Sequence, residues 1–483
     1  MIVPHMLRTA LLTGVLFLIS ACAPDATAQP VEYSARVGVV GATSGELPFW
    51  MAANQYGRID PRSAGALFDI AARKPLRHGK PFDYGIGVEM LGRASEQSAL
   101  YAHQLYGALQ TGPLRWQAGW REHTSGMVDP TLSMGSTMWS RNASPMPKLS
   151  VAVPEYVAIP GTQGFLAVRG YVAHGWLGPN RYIDRPYLHE KYAYLRIRFP
   201  GLPVQGHAGF HHNVVWAGTH PTQGDLPDGF NNFLRVVLGQ GAPEGSNTAT
   251  GEQSNAFGNT VAAYDFAVTF AAGGVRGQVA RQFYIEDTVS LAFRNVWDGL
   301  WSLSLRRAET GHLVDALVYE HLRMTRQGAR TDLNEPRGPD SYYNNFAYRS
   351  GWTYRGRTLG TPLLLAGEDV PGITNNIVVA HHVGLRGTVQ PQLRYRALLT
   401  YSRNYGASKI CGDADCNTRV DGRTDRRDRY TTHLIAEGAL PDWARGLSAY
   451  ASVSADLGFF NTDRVGLAGG LRWQGLIHRG ARD

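Results

Sequence analysis

The sequence predicts an all-β fold: a single large antiparallel transmembrane β-barrel of about 18 strands with a short N-terminal plug-like segment. Three observations support this. Strand-length runs alternate between an apolar row and a polar row, Gly-rich turns separate the runs, and short and long connections alternate along the chain. The mean hydropathy of −0.24 excludes a helical membrane protein.

The alternation is clearest between residues 260 and 307. Phe266 and Val268 alternate with Asp265 and Thr269, and Ala-Ala-Gly-Gly at 271–274 is a turn signal. Two further runs place arginines opposite an apolar row, with Arg196 and Arg198 in the first and Arg394 and Arg396 in the second. In a barrel surrounded by lipid the apolar row faces outward, so these four arginines are predicted to line a wet lumen.

Connection length gives an independent test of the barrel. If the C-terminus is periplasmic, the short connections lie at one end: 439–446, 387–390, 309–312, 271–274 and 200–203. The long ones then lie at the other: 177–187, 216–258, 285–297, 328–347, 367–375 and 406–429. This assignment requires a tight turn at 355–357 and no strand at 229–240, where FNNFLRVVLG fits a helix inside a long loop. A sandwich has no reason to sort its loops in this way, whereas outer-membrane barrels do.

Before the barrel, residues 1–28 are predicted to be an export signal, with an apolar core and Ala-Thr-Ala ahead of the cleavage site. A lipoprotein signal that lipidates Cys22 is the alternative. Residues 29–63 are predicted to form a periplasmic or plug segment, because 44–60 do not alternate as a strand does. Residues 64–483 are assigned to the barrel.

The net charge of +8 is carried mostly by arginine. It indicates either affinity for acidic polymers or the codon bias of a GC-rich genome. No basic helix or nucleic-acid motif is present, so a nucleic-acid partner is not expected.

Cys411 and Cys416 lie five apart in a polar loop and are predicted to form a disulfide in an oxidising compartment. A calcium site on neighbouring aspartates is the alternative.

Eight segments resemble the capsule assembly Wzi family of outer-membrane barrels. They span nearly all of the mature chain in order: LPFWMAANQYG (47–57), GSTMWSRNASPMP (135–147), HEKYAYLRIRF (189–199), GEQSNAFGN (251–259), RQFYIEDTVSL (281–291), NVWDGLW (295–301), DSYYNNFAYRSGWTYRGRTLGTPL (340–363) and YSRNYG (401–406). The resemblance implies a barrel of about 18 strands, an N-terminal segment at the periplasmic mouth, and a role in holding or assembling surface polysaccharide. Capsular or surface polysaccharide, outer-membrane lipid and polysaccharide export machinery are the partners it implies. The ending His478 to Asp483 departs from the aromatic ending of many outer-membrane barrels.

The predicted outer loops hold side chains suited to sugars, because aromatic rings stack on C–H faces and Arg or Asn binds hydroxyls and uronates. The candidate polysaccharide-binding residues are Trp176, Arg181, Tyr182, Trp216, Trp297, Tyr342, Tyr343, Asn344, Asn345 and Tyr405. The alternative for each aromatic residue is a place in a membrane-interface girdle or in loop packing.

Two functions remain open at this stage. The first is a binding barrel, plugged or closed, that tethers or helps to assemble surface polysaccharide without catalysis. The second is an outer-membrane pore that passes anionic solutes or saccharides through an Arg-lined lumen. No catalytic constellation, metal site or cofactor is predicted, and an enzyme would need a Ser/His/acid cluster that is not local in sequence.

Overall fold

The computed structural model describes residues 30–77, 79–286, 288–333, 337–368, 370–407, 426–458 and 462–477. The predicted export signal, Cys22, and the predicted disulfide between Cys411 and Cys416 lie outside these residues. Within them, no helix is long and apolar enough to cross a membrane.

Eighteen antiparallel strands form one closed sheet. They are β1 Val31–Ala42, β2 Gly65–Lys74, β3 Phe82–Ala94, β4 Ala99–Thr111, β5 Leu114–Trp120, β6 Pro147–Ala158, β7 Leu166–Trp176, β8 Tyr187–Arg198, β9 Val204–Trp216, β10 Asn259–Ala272, β11 Val275–Ile285, β12 Gly299–Arg307, β13 Ala316–Arg323, β14 Val378–Gln390, β15 Leu393–Asn404, β16 Arg427–Ala439, β17 Leu447–Leu457 and β18 Arg464–Ile477. Closure joins the two ends of the chain, since β1 pairs with β18 from Val31↔Ile477 to Ala42↔Gly466. The predicted barrel of about 18 strands is confirmed.

The two faces of each strand differ as the alternation predicts. On β10, Phe266 and Val268 point outward and are 37% and 48% exposed, whereas Asp265 points inward and is fully buried. Since successive side chains of a strand lie on opposite faces, one register places the apolar row against lipid around the wall.

Connection length separates the two ends of the barrel. Residues 112–113, 273–274 and 391–392 are among the tight turns at the short-turn end, where the C-terminal end of β18 also lies. The connections 217–258 and 324–377 are among the loops at the opposite, long-loop end.

Four short helices are described: α1 Phe49–Ala52, α2 Gly229–Leu238, α3 Thr250–Ser254 and α4 Thr288–Leu291. Two 3₁₀ turns are Thr331–Leu333 and Asp442–Ala444. The helix expected at 229–240 is therefore confirmed as α2. The tight turn at 355–357 is also present, but it joins the two-residue strands Thr353–Tyr354 and Arg357–Thr358 within the 324–377 loop, not two wall strands.

The predicted boundary between residues 63 and 64 is wrong, because the barrel begins at Val31. β1 supplies the wall strand between β2 and β18, with Val40 opposite Gly65 and Val31 opposite Ile477. Glycines and a single inward arginine, Arg36, dilute its alternation and hide the strand in the sequence.

The expected periplasmic position of the N-terminal segment also differs. Since β1 starts at the short-turn end, the chain after Ala42 leaves from the long-loop end. Residues 43–64 then turn into the lumen, where the Trp50 Nε1–H donates to Thr400 Oγ1 at 2.9 Å.

Three segments, 43–64, 121–146 and 324–377, fill the long-loop half of the lumen and together form the plug. One hydrophobic cluster joins the plug to the wall, with Trp50, Trp139 and Trp352 from the plug packed against wall residues that include Val318 and Leu398. Residues 135–143 are irregular backbone inside the plug.

Inward carboxylates of the wall hold this irregular backbone. Asp265 accepts the Met127 N–H at 2.8 Å, Glu320 accepts the Met134 N–H at 2.7 Å, and Asp456 accepts the Phe49 N–H at 3.0 Å. Non-helical backbone at membrane depth is tolerated only where its polar groups find partners inside the protein. These wall acids supply such partners, so the plug is a docked part of the barrel.

Candidate functional site

Two polar cavities lie on opposite sides of the plug. The outer cleft, at the long-loop end, has a volume of about 650 Å³ and lies between residues 177–182 and residues 350–372. The vestibule, in the short-turn half of the lumen, has a volume of about 900 Å³. Both are large enough to take several sugar units or comparable polar groups.

Hydrogen bonds between two loops build the outer cleft. The Arg181 guanidinium donates to the Thr353 carbonyl at 2.6 Å and to the Gly351 carbonyl at 3.1 Å, and the Tyr182 N–H donates to Ser350 Oγ at 2.9 Å. Burial lowers the pKa of Arg181 to about 10, so it stays charged at neutral pH. Arg181 therefore acts first as a brace that holds the two walls of the cleft together.

The chemistry of the cleft suits a carbohydrate. Tyr182 is a half-buried ring, with the guanidinium carbon of Arg349 lying 4.6 Å from its centroid. Arg355 is exposed at the hairpin tip beside Tyr354, and Asn180 lines the same wall. Aromatic rings stack on sugar C–H faces, while guanidinium and amide groups bind hydroxyls and carboxylates.

The vestibule is lined by charged side chains from the lower wall. It extends from Glu32 and Gln474, near the strand ends at the short-turn side, up to Tyr56 and Arg141 beneath the plug. Several of its acids are paired: Asp69 with Arg36 at 2.6 Å and Glu437 with Arg472 at 3.2 Å.

Three other arginines of the vestibule, Arg386, Arg394 and Arg396, form no ion pair with any described residue. Arg386 donates to Thr131 Oγ1 at 3.3 Å, and Arg396 donates to the Thr131 carbonyl at 3.5 Å. Unpaired guanidinium groups around a narrow cavity make its potential positive and favour anions. Arg394 and Arg396 thus line the lumen, as predicted.

The other two predicted lumen arginines lie on β8. Arg196 faces the lumen with its guanidinium carbon 4.8 Å from the Tyr156 ring centroid, and Arg198 is exposed near the end of β8.

A buried network closes the top of the vestibule. Glu89, His103 and Glu122 bring one ligand atom each within 4.8 Å of one another, as a metal site would. The Arg58 guanidinium, however, donates to Glu89 at 2.6 Å and also to Glu122. Because a cationic side chain occupies the centre of the acids, the cluster is an ion-pair network and we assign it no metal.

A β-bulge produces this network. In the pairing of β3 with β4, Glu89 faces Gln104 and Met90 faces Ala102, so His103 is an extra residue. A bulge re-aims side chains locally, and here His103 reaches Glu122 at 3.2 Å while Gln104 reaches Glu89 at 2.6 Å. Sequence alternation gives no signal for such a residue.

Burial alone would raise the pKa of the Glu122 carboxyl. The hydrogen bond from His103 and the charge of Arg58 outweigh that penalty and hold the pKa at about 2. Asp60, a plug residue that contacts Gln97 in the connection between β3 and β4, has a pKa of about 2 because hydrogen bonds from Arg62 and Gln97 outweigh its burial. Both carboxylates therefore stay charged at neutral pH.

Three of the other candidate polysaccharide-binding residues lie inside the plug. Tyr342 and Tyr343 are fully buried and Asn344 is 7% exposed, all inside the plug. The Tyr342 hydroxyl accepts the Gly328 N–H at 2.8 Å and the Asn295 amide at 2.7 Å. The expectation that these three residues form an exposed sugar surface is wrong, because the loop that carries them folds inward.

Two further candidates have local structural roles. Asn345 Oδ1 accepts the N–H groups of Ala347 and Tyr348, each at 2.9 Å, which ties a turn of the plug loop. Tyr405 is half-buried just beyond β15, and its N–H donates to the Ile377 carbonyl at 3.0 Å.

The three candidate tryptophans lie on or beside the outer wall. Trp216 is buried beneath α2, and Trp176 ends β7 on the outward face beside His174. Trp297 is 53% exposed with the Arg323 guanidinium 5.9 Å from its ring centroid. Their positions match a membrane-interface girdle, so only Arg181 and Tyr182 of the predicted set meet in one cleft.

The fold and the two cavities define an outer-membrane β-barrel whose lumen is filled rather than open. The family model described as capsule assembly protein Wzi matches residues 40–397. The chain belongs to this family. No curated protein matches the chain by sequence.

Comparison with the solved structure of Wzi supports the fold. The outer-membrane protein Wzi of Escherichia coli, described as a carbohydrate-binding β-barrel involved in group 1 capsule assembly, has a TM-score of 0.56 and 14% identity, over 91% of this chain and 83% of that chain. OccD3 (OpdP) of Pseudomonas aeruginosa has a TM-score of 0.47 and 9% identity, over 94% of this chain and 92% of that chain. OpdQ of the same organism has a TM-score of 0.46 and 7% identity, over 93% and 99%.

Proposed function

We propose that the protein binds surface polysaccharide in the outer cleft and tethers it at the cell surface, without catalysing a reaction. The observation that carries the proposal is a carbohydrate-sized cleft on the exposed side of a filled barrel. The Escherichia coli neighbour, described as carbohydrate-binding, supports the same class of ligand.

The filled lumen favours binding over transport. Trp139, Tyr343 and Trp352 lie in the hydrophobic cluster that joins the plug to the wall. A pore would require this cluster to separate, with the loss of several kcal/mol for each large side chain exposed. The same cluster keeps the loops of the outer cleft in place, so it favours a rigid binding surface.

The residues of the cleft suggest how a polymer would be held. The Tyr182 ring offers an apolar face for a sugar, and Arg355 offers an unburied guanidinium for a hydroxyl or a uronate carboxylate. The Arg349 guanidinium adds positive charge beside that ring. An acidic polysaccharide is therefore the preferred ligand, and an export machinery that delivers it is the expected partner.

The test compares cells with and without the gene, measuring polymer on the surface and in the medium. Tethering predicts that cells lacking the gene still make the polymer but shed it. Purified protein should bind the same polymer, and Tyr182→Ala combined with Arg355→Asn should weaken binding at least tenfold. Asn is used because it tolerates the positive φ of 48° at this position.

Trp297→Ala and Arg294→Ala are matched controls, because both side chains are exposed but belong to a loop outside the cleft. Neither change should alter polymer binding. If surface polymer is unchanged without the gene, tethering is excluded. If the control variants weaken binding as much as the cleft variant does, the cleft is not the binding site.

A further inference from the structure

Helix α2 lies outside the barrel, flat against the outward face of strands β7 to β9. The Phe233 ring packs 5.9 Å from His174, 5.5 Å from His189 and 6.2 Å from Trp216, measured between ring centroids. Val236 is buried in the same contact. This face of α2 therefore covers a patch of wall that would otherwise meet the membrane.

The C-terminal end of α2 reaches down the wall. The Val237 carbonyl accepts a hydrogen bond from Lys191 Nζ. Lys191 lies four residues along β8 from Tyr187, the residue at the long-loop end of the strand, which is about 13 Å of strand. With a strand tilt of about 40°, the end of the helix lies about 10 Å below the rim.

Under α2 the outward wall at this depth is polar, with Lys191 opposite His212, but beside that patch it is apolar. Lys191 pairs directly with Val172, which points outward from β7 and is 48% exposed. Leu149, on the neighbouring β6, is 54% exposed on the same outward face. The end of α2 is thus level with side chains of the lipid-facing belt.

A second side of α2, next to the wall-contacting face, is also apolar. Phe230, Leu234 and Leu238 are 72%, 40% and 68% exposed. Residues spaced by four lie along one side of a helix, so the three form a continuous stripe, and its Phe230 ring lies 6.4 Å from that of Phe233 on the wall-contacting face. An isolated surface helix of a water-soluble protein would carry polar residues there.

We propose that α2 is an in-plane membrane anchor, whose Phe230, Leu234 and Leu238 stripe is embedded among the acyl chains of the outer leaflet. Continuity with the lipid-facing wall identifies lipid as the occupant, since the stripe meets that wall at the height of Val172. Amphipathic helices lie at the headgroup boundary with their apolar face buried about 5–10 Å. Since α2 belongs to the 217–258 loop, the anchor fixes that loop relative to the membrane surface.

The loop between β11 and β12 extends the same apolar surface around the barrel. Phe293 stacks on the outward ring of Tyr264 with centroids 4.6 Å apart and an interplanar angle of 13°. Phe293 itself stays 42% exposed. Two neighbouring loops thus fold outward over the rim, in contrast to the plug segments that fold inward.

Site-specific fluorescence tests the anchor. Single cysteines at position 234 or 238, in a chain whose native cysteines are serine, are labelled with an environment-sensitive dye, and the folded barrel is placed in phosphatidylcholine vesicles. Lipids with a nitroxide high on the acyl chain should quench both labels at least twofold, and aqueous iodide should quench them little. A label on Glu244→Cys, an exposed position in the same loop, should show the reverse.

Two results would overturn the proposal. Iodide quenching at position 238 equal to that at 244 would place the stripe in water. Self-quenching between labels at 238 that disappears on dilution of the protein in lipid would identify a second copy of the chain as the occupant. Leu234→Asp with Leu238→Asp serves as a second measurement, and it should abolish the lipid quenching of a label at position 230 while the barrel still folds.

Discussion

The two halves of the lumen are lined by the same strands but have opposite character. Toward the long-loop end the inward residues contact the plug: apolar ones such as Val261 and Ala263 pack against it, and the carboxylates of Asp265 and Glu320 accept its backbone N–H groups. Toward the short-turn end charged residues such as Arg36, Asp69 and Arg396 line the open vestibule. The difference shows that one wall supports a filled half and an open half, according to whether its inward residues have partners in the plug.

The largest loss of stability should come from truncating a buried side chain in the plug-filled half of the lumen. Trp352 is fully buried, its ring centroid lies 5.8 Å from that of Trp139, and its Nε1–H donates to the Met138 carbonyl at 3.0 Å. Trp352→Ala should destabilise the folded barrel by about 3–5 kcal/mol, because it leaves a cavity and an unpaired carbonyl. The shift in the heat-induced unfolding of the barrel on gels measures this.

Trp443→Ala is the control for that experiment. Trp443 is 82% exposed in a short turn, so its loss should change stability by less than about 0.5 kcal/mol. Equal shifts for the two variants would show that the upper lumen is not a hydrophobic core.

A smaller loss of stability is expected when a wall carboxylate that accepts a plug N–H is replaced. Glu320 accepts the Met134 N–H at 2.7 Å and the Ser302 hydroxyl at 3.2 Å. Glu320→Leu should cost about 1–3 kcal/mol, because it leaves a buried N–H without a partner. Faster hydrogen exchange of the backbone N–H groups in residues 121–146 would show this loss. Glu320→Gln keeps an acceptor and should exchange like the wild type, so the idea fails if both variants behave alike.

Acid should loosen the attachment of the plug to the barrel wall. The carboxyls of Asp60 and Glu122 have a pKa of about 2 in the folded barrel, below their ordinary values near 4. The stability that these two carboxylates add to the folded barrel is therefore fully present above about pH 4 and is lost as pH falls toward 2. Planar-bilayer recordings should be silent at pH 7 and develop current below pH 4.

Glu122→Gln tests the cause of that acid response. It removes the charge that Arg58 and His103 hold at neutral pH, so current should develop at a higher pH than in the wild type. A steady open-channel current in the wild type at pH 7 would contradict the sealed lumen and restore the pore hypothesis.

The smallest change in stability should come from replacing arginines that line the vestibule. Arg394→Gln with Arg396→Gln removes two unpaired guanidinium groups that contact water, so unfolding should shift by less than about 0.5 kcal/mol. The electrostatics should change instead: in a variant whose plug is loosened by Trp352→Ala, anion selectivity should fall. Unchanged selectivity would show that these arginines do not set the field of the vestibule.

The wall could be predicted because its signal is local. A strand alternates with period two, so Phe266 against Asp265, or Leu195 against Arg196, reveals both the strand and its lipid-facing side. The sequence does not reveal β1, because glycines weaken that alternation, and only the pairing with β2 and β18 identifies the strand.

The candidate site was harder to predict, because exposure is not a local property. Tyr342 and Tyr182 stand in similar polar, aromatic loop sequences, but one is fully buried in the plug and the other is half-buried in the outer cleft. Arg355 was noticed only as part of a turn. Which loops fold inward depends on contacts across hundreds of residues, such as the bond from Trp50 to Thr400.

By itself the sequence determined the architecture of the wall: antiparallel strands, an apolar outer row, inward arginines, and long loops gathered at one end. Each follows from residue spacing that any short window contains. Only the tertiary structure decided that three segments fold into the lumen, that two loops fold over the outer rim, and that a cleft and a vestibule remain on either side of the plug. These outcomes depend on which buried polar groups find partners, and Asp265, Glu320 and Asp456 find theirs 138, 186 and 407 residues away in the chain.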